Sequence, residues 1–345
     1  GIITAVALFC GLDSVLKFMG AIPSIMKLSK SYTGIFILGG ILGTINVTLG
    51  NVAVAQGAAH ISLKAMMIGS LSNMILDPIF IFWLNWGVKG AAIATLIARA
   101  ITSLMYVMYF IGDKNLIEIK VSYFKPTLTM YHEILKIGIS LLLLQILQTI
   151  SISKISSAAS LYGEGAIAAM GIVLRIVTLG ANVVFGYMKG LQPLAGFNYG
   201  AKNYERVKEA IKASIKWTNI FCIVWTLIIY IFAPNIVALF GTDDNVASIA
   251  IPALRAGVIM FVTFGFQFSF STLYLSIGKA LAGVFLNSLR QGIVFIPLIL
   301  LLPNIIGLNG VIYSQAIADA LATLITIPFA ISIHKSLNLE TKRKG

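Results

Sequence analysis

The sequence predicts an all-α integral membrane protein, with about ten transmembrane helices in two repeat-related lobes. Three observations predict it. Of 345 residues, 58% are hydrophobic and 11% charged, whereas soluble domains carry about 25% charged residues. Apolar runs recur throughout, near the length of about 20 residues that crosses a hydrocarbon core. The two halves also repeat: GVKGAAIATLIARAITSL from Gly87 aligns without gaps to GLNGVIYSQAIADALATL from Gly307.

Taken in order, the spans fall at 2–19, 31–54, 64–86, 89–111, 131–156, 164–192, 210–233, 247–275, 279–302 and 307–333. The first has no initiator Met, basic n-region or small-residue cleavage site, so it does not read as a signal peptide. The chain begins inside a helix, as a fragment or truncated chain would. The second span stops at Gln56-Gly57, a turn that recurs as Ile277-Gly278 at an offset one residue different from that of Gly87 and Gly307. The third carries Trp83 and Trp86 at its end, where an interfacial aromatic belt belongs. The fourth opens at the glycine turn after Trp86. A polar connection from Gly112 to Tyr131 holds Asp113, Lys114, Glu118, Lys120, Lys125 and Pro126, and divides the chain into domains 1–118 and 119–345. The fifth and sixth spans follow it. Ahead of the seventh, Lys202, Arg206, Lys208, Lys212 and Lys216 alternate with apolar residues at helical spacing. That pattern predicts a surface helix running into the span and anchored on anionic lipid. The last three spans are separated by Gly278 and Gly307.

The net charge of +13 is explained by membrane topology rather than nucleic acid, because the basic residues are not clustered with interleaved aromatics. Most lie on the side of the 54–64, 111–131, 192–210 and 275–279 connections and the C-terminus, and Arg290 is counted with them. The positive-inside rule makes that side cytoplasmic and places both chain ends there. Lys17, Lys27 and Lys30 run against the rule.

The most informative stretch is NMILDPIFIFWLNWGVKGAAIAT, Asn73 to Thr95. Asp77 is a carboxylate in a segment with few other polar atoms, and such a charge costs several kcal/mol in a bilayer. Asn73 lies four residues earlier, on the same helix face. Pro78 has no N–H and frees the carbonyl of Met74. At about 1.5 Å per residue, Thr95 is about 8 Å and Asp77 about 14 Å from the intervening turn, so Asn73, Asp77 and Thr95 can share one polar pocket. Asn51, in the preceding span, is placed to line it too. Arg99 and Asp319 occupy equivalent repeat positions, and either pair with each other or take local partners. Arg175 reads as structural. Gln145 and Gln148 either line a cavity in the second half or bond between helices. Asp13 and Lys17 read as an interfacial pair. Cys10 and Cys222 form no motif, and the three histidines have no metal-ligand spacing. No phosphate-binding glycine loop is present, and nothing predicts an enzyme or a bound cofactor.

Three motifs carry a family resemblance: NMILDPIFIF…GVKGAAIAT, then GLQPLAGFNYGAKNYERVKEA with Gly190, Gln192, Pro193, Gly196, Asn198, Gly200 and Arg206, and SIGKALAGVFLNSLRQ…IPLI followed by SQAIADALATL. Together they resemble the multidrug and toxic compound extrusion (MATE) antiporters along essentially the whole chain. The resemblance implies a two-lobed twelve-helix fold of which helices three to twelve are present, without the first helix and its acidic residue. It implies a monomeric inner-membrane exporter of small-molecule drugs and amphipathic cations, with H+ or Na+ as the coupling ion. It also implies that Asn73, Asp77 and Thr95 form the cation- or proton-linked network, with Asp319 a secondary site. A flippase for lipid-linked or polysaccharide precursors would need a strongly basic cavity, against which only Arg99 and Arg175 stand within the predicted spans. A non-transporting membrane scaffold would not need the three polar residues at matched depth.

Overall fold

The computed structural model describes residues 1–18, 23–112, 127–241 and 243–344. Every regular element among them is helical: α1 (Ile2–Cys10), α2 (Leu12–Phe18), α3 (Pro23–Ala55), α4 (Ala59–Pro78), α5 (Gly87–Ile111), α6 (Leu128–Ser160), α7 (Glu164–Gly200), α8 (Tyr204–Ile231), α9 (Ala233–Ala238), α10 (Asp244–Ile259), α11 (Phe264–Ser276), α12 (Ala280–Ser288), α13 (Phe295–Ile306) and α14 (Leu308–Lys344). Three joins between them stay helical in another winding: wide π turns over Ile79–Trp83 and Leu289–Ile293, and a tight 3-10 turn over Met260–Thr263.

Nine helical segments among the described residues are long and apolar enough to cross a membrane, from Ser29–Ala55 to Leu308–Thr341. They match the second to tenth expected spans. The first expected span, 2–19, is instead two short helices broken at Gly11, where a residue about 1 kcal/mol worse than Ala in a helix precedes Asp13 and Ser14. The basic stretch before the seventh span is continuous with it, as α8. Asp13 pairs with Lys30 at 2.7 Å, both exposed; the side chain of Lys17 lies outside the described residues, as does the polar connection 113–126.

The chain divides into two compact units, Gly1–Lys125 and Pro126–Gly345. In the first, α5 packs on both α3 and α4, around a small core of Ala53, Ala65, Tyr106 and Phe110. In the second, α7 packs on α8, α10 and α11, α13 pairs with α14, and α6 lies against α7 and α13. Its core is larger and holds Val184, Leu254, Phe261, Phe264, Leu273 and Phe295. Large apolar side chains such as Met74, Leu142 and Leu227 face outward in both units, as lipid-facing surfaces require.

The sequence repeat is a structural repeat. Gly87 and Gly307 both adopt left-handed backbone, with φ +52° and +64°, a region where an L side chain is strained. Three residues on, Gly90 and Gly310 bring backbones together: a Cβ on Gly90 would sit 2.6 Å from the Phe80 carbonyl oxygen, and one on Gly310 would collide with the Leu302 carbonyl group. Both neighbours are backbone and cannot swing away. Gly310→Ala is therefore expected to destabilise the protein by about 1–3 kcal/mol. Gly186→Ala, where nothing lies within 4 Å, should have little effect. Thermal melting of the two variants in detergent checks the contrast.

Candidate functional site: two intramembrane polar clusters

In the first unit, Asn73 Nδ2 donates to Asp77 Oδ1 at 3.2 Å, and both side chains are half-buried. Pro78 has no N–H to give Met74, and the chain responds by widening into the π turn directly after it. There the N–H of Leu84 reaches the carbonyl of Ile79 at 3.0 Å, and that of Trp86 reaches Phe80 at 3.1 Å. The acidic side chain thus precedes a stretch whose winding is already non-standard.

Asn73 also lines a pocket of about 240 Å³ between α4 and α5, with Ser70, Thr95, Arg99 and Thr102. Thr95 bonds its own helix at Ala91 O, 3.0 Å away. The structure therefore brings Asn73 to Asp77 on one side and to Thr95 across the pocket on the other. Asn51 is exposed on α3 and does not line this pocket.

The polar residue of α3 that does engage α5 is Asn46, which the sequence reading missed. Its Nδ2 donates to the Arg99 carbonyl at 2.9 Å, and its Oδ1 accepts from Ser103 Oγ at 2.7 Å. The Arg99 guanidinium stacks on Phe36, 4.7 Å from the ring centroid. It lies over Gly39 and Gly43, where a Cβ would come within 3.3 and 3.5 Å of its Nη1. The glycines of the GGILG segment thus make room for an arginine side chain. No carboxylate pairs with Arg99 among the described residues.

The second unit holds a fully buried counterpart. Asp319 is 1% exposed and Arg290 4%. Arg290 Nε donates to Asp319 Oδ1 at 2.7 Å, and Gln315 Nε2 donates to the same oxygen at 2.7 Å. Gln267 Nε2 reaches the Asp319 carbonyl at 2.9 Å and Thr323 Oγ1 at 2.6 Å, and Thr323 donates to Thr263 Oγ1 at 2.9 Å. The guanidinium also covers the Phe264 ring at 4.4 Å. This corrects one expectation and decides between two alternatives. Arg290 is not a surface charge setting topology, since the π turn carries it into the helix bundle. Of the two alternatives for Arg99 and Asp319, Asp319 takes a local partner. A third intramembrane arginine thus joins Arg99 and Arg175, and its charge is matched by Asp319. Arg175 and Gln145 are exposed on α7 and α6, and the Gln145 carbonyl accepts from Thr149 Oγ1 at 2.8 Å.

The clusters occupy one repeat position with opposite content. An offset of 220, Gly307 against Gly87, places Asp319 on Arg99, and offsets of 220 and 221 place Arg290 on Ser70 and Gly69. Large paired charges fill that space in the second unit, and small residues leave it as a pocket in the first. Among the described residues no group of three or more His, Cys, Asp or Glu could hold a metal ion.

Nine apolar spans among the described residues, two units built on one repeat, and polar residues gathered inside helices define a multi-pass membrane protein. The chain belongs to the MatE family, whose model matches residues 1–79 and 137–301, one block in each unit. It is 29% identical over 329 residues to the multidrug export protein MepA of Staphylococcus aureus strain MSSA476, covering 95% of this chain and 72% of the relative. To MepA of Staphylococcus haemolyticus it is 29% identical over 340 residues, with 99% and 75% covered. A multidrug resistance MATE transporter of the MOP superfamily in its outward-facing conformation superposes with a TM-score of 0.90 at 25% identity, over 97% of this chain and 75% of that one.

Removing one member of the Arg290–Asp319 pair leaves the other charged and buried without compensation. Arg290→Ala is expected to cost about 3–5 kcal/mol, while the double replacement Arg290→Met with Asp319→Leu recovers most of that loss. Melting temperatures of the single and double variants in detergent decide it; equal losses would mean that the pair is not coupled.

Proposed function

We propose that this protein is a secondary active efflux antiporter. It exports amphipathic, often cationic small molecules across the plasma (inner) membrane in exchange for H+ or Na+, works as a monomer, and has both chain ends in the cytoplasm. Alternating access comes from rocking of the two repeat-related lobes, and occupancy of Asp77 by a proton or cation biases one state. Asn73 and Thr95 are assigned to the coupling network with it; Asn51, expected to join them from α3, lies outside the pocket. The family membership and the multidrug export activity named for the relatives support the reading.

The observation that carries it is the Asn73–Asp77 bond at 3.2 Å, directly before Pro78 and the π turn Ile79–Trp83. A ligand shifts a conformational equilibrium only through different affinity for its states. Asp77 can supply that difference, because its neighbour Asn73 reaches into the polar pocket and the helix beyond it is not locked in regular α winding. Bound cation or proton changes the charge that Asn73 bonds, at the point where the helix most readily rewinds.

Efflux from proteoliposomes under separately imposed H+ and Na+ gradients tests this. Asp77→Asn is expected to abolish gradient-driven export, a loss of at least about tenfold, while leaving the melting temperature near that of the parent. Export at the parental rate from a folded Asp77→Asn protein would overturn the assignment. The gradient that drives the parent identifies the coupling ion.

A further inference from the structure

At one end of the second unit, α8 begins at Tyr204, α11 stops at Ser276 and α14 runs on to Lys344. Between these ends lies a pocket of about 460 Å³. Its floor is apolar and buried, formed by Ile211, Phe270, Leu273, Ile333 and Leu337. Its rim is charged. Glu205, Lys208, Glu209 and Lys212 stand at successive helical spacings on one face of α8, and His334 and Asn338 face in from α14. Lys208 Nζ is already engaged, with Glu205 Oε1 at 2.6 Å and Asn338 Oδ1 at 3.0 Å. Glu209, Lys212 and His334 have no ion-pair partner among the described residues. One free carboxylate, one free ammonium and one imidazole therefore surround an oily floor at the level where the spans end.

We propose that this pocket binds the headgroup of a phospholipid bearing a primary ammonium, of the phosphoethanolamine type. Lys212 and His334 donate to the phosphate, the headgroup ammonium donates to Glu209, and the first acyl carbons lie on the apolar floor. The occupant follows from the free groups. A headgroup with only negative charge would leave Glu209 facing a phosphate without compensation. A choline headgroup has no N–H to give Glu209. A water-soluble zwitterion would leave the floor of Phe270, Leu273 and Ile333 uncovered, although apolar burial is what such a cleft offers. The site is built entirely from residues of the second unit and does not depend on the transport reading.

The test is a lipid titration of the purified full chain in detergent, followed by native mass spectrometry and by thermal shift. Phosphatidylethanolamine is expected to bind about tenfold more tightly than phosphatidylcholine of the same acyl chains, the difference one charge-assisted hydrogen bond makes. Glu209→Gln should remove that preference without changing phosphatidylcholine binding, and Lys212→Met should weaken both lipids. Both side chains are exposed, and the parental melting temperature without added lipid verifies that each variant folds. Equal binding of the two lipids would overturn the proposal, as would tighter binding of phosphatidylglycerol or an unchanged preference in Glu209→Gln. Binding of tailless glycerophosphoethanolamine as tightly as the lipid would overturn the role of the apolar floor.

Discussion

Hydrocarbon offers no hydrogen-bond partners, so a polar group carried into the membrane is costly unless the protein supplies a partner. That constraint explains the sites more directly than any motif does. Asp319 survives in the interior because Arg290 and Gln315 share its Oδ1. Arg99 lies against Phe36 and the bare backbone at Gly39 and Gly43. The same demand reaches the main chain: when Pro78 withdraws a donor, the following residues change winding to keep their carbonyls occupied. Polar residues and irregular helix therefore travel together. Asp77 immediately precedes a π turn, Arg290 lies inside one, and Thr263 closes the 3-10 turn.

The comparison of the two repeats separates structure from chemistry. The left-handed turns at Gly87 and Gly307 and the close approaches at Gly90 and Gly310 are kept in both, since the geometry of a helical hairpin fails without them. The charges are not kept. Arg99 stands where Asp319 stands, and of the two only Asp319 has an opposite charge within reach among the described residues. One hairpin thus uses its interior to hold helices together by an ion pair. The other leaves a polar cleft beside an acid whose side chain stays half accessible.

Much of this was legible in the residues. Apolar run length gave the spans from the second onward, because a bilayer sets element length almost independently of tertiary context. The four-residue spacing of Asn73 and Asp77 was enough to place them on one face, and the bond between them follows. The first expected span was misread because an apolar average hides Gly11, whose effect is local. Arg290 was misread because counting basic residues by loop assumes regular helices, and a single wide turn suffices to bring a side chain inward. Asn46 could have been found from its spacing to Gly39 and Gly43 along α3, which together mark the face turned toward α5. Partners far apart in sequence, such as Gln267 with Thr323, carry no such local signal.

From Gly57 to Gly87 there are 30 residues, and from Gly278 to Gly307 there are 29. Each interval contains one π turn, placed late in the first and near the middle of the second. Because each interval has one, the extra residue of the first is not what the wide turn accommodates; what a wide turn changes is the register of the side chains beyond it. Two hairpins of nearly equal length can therefore point different side chains inward.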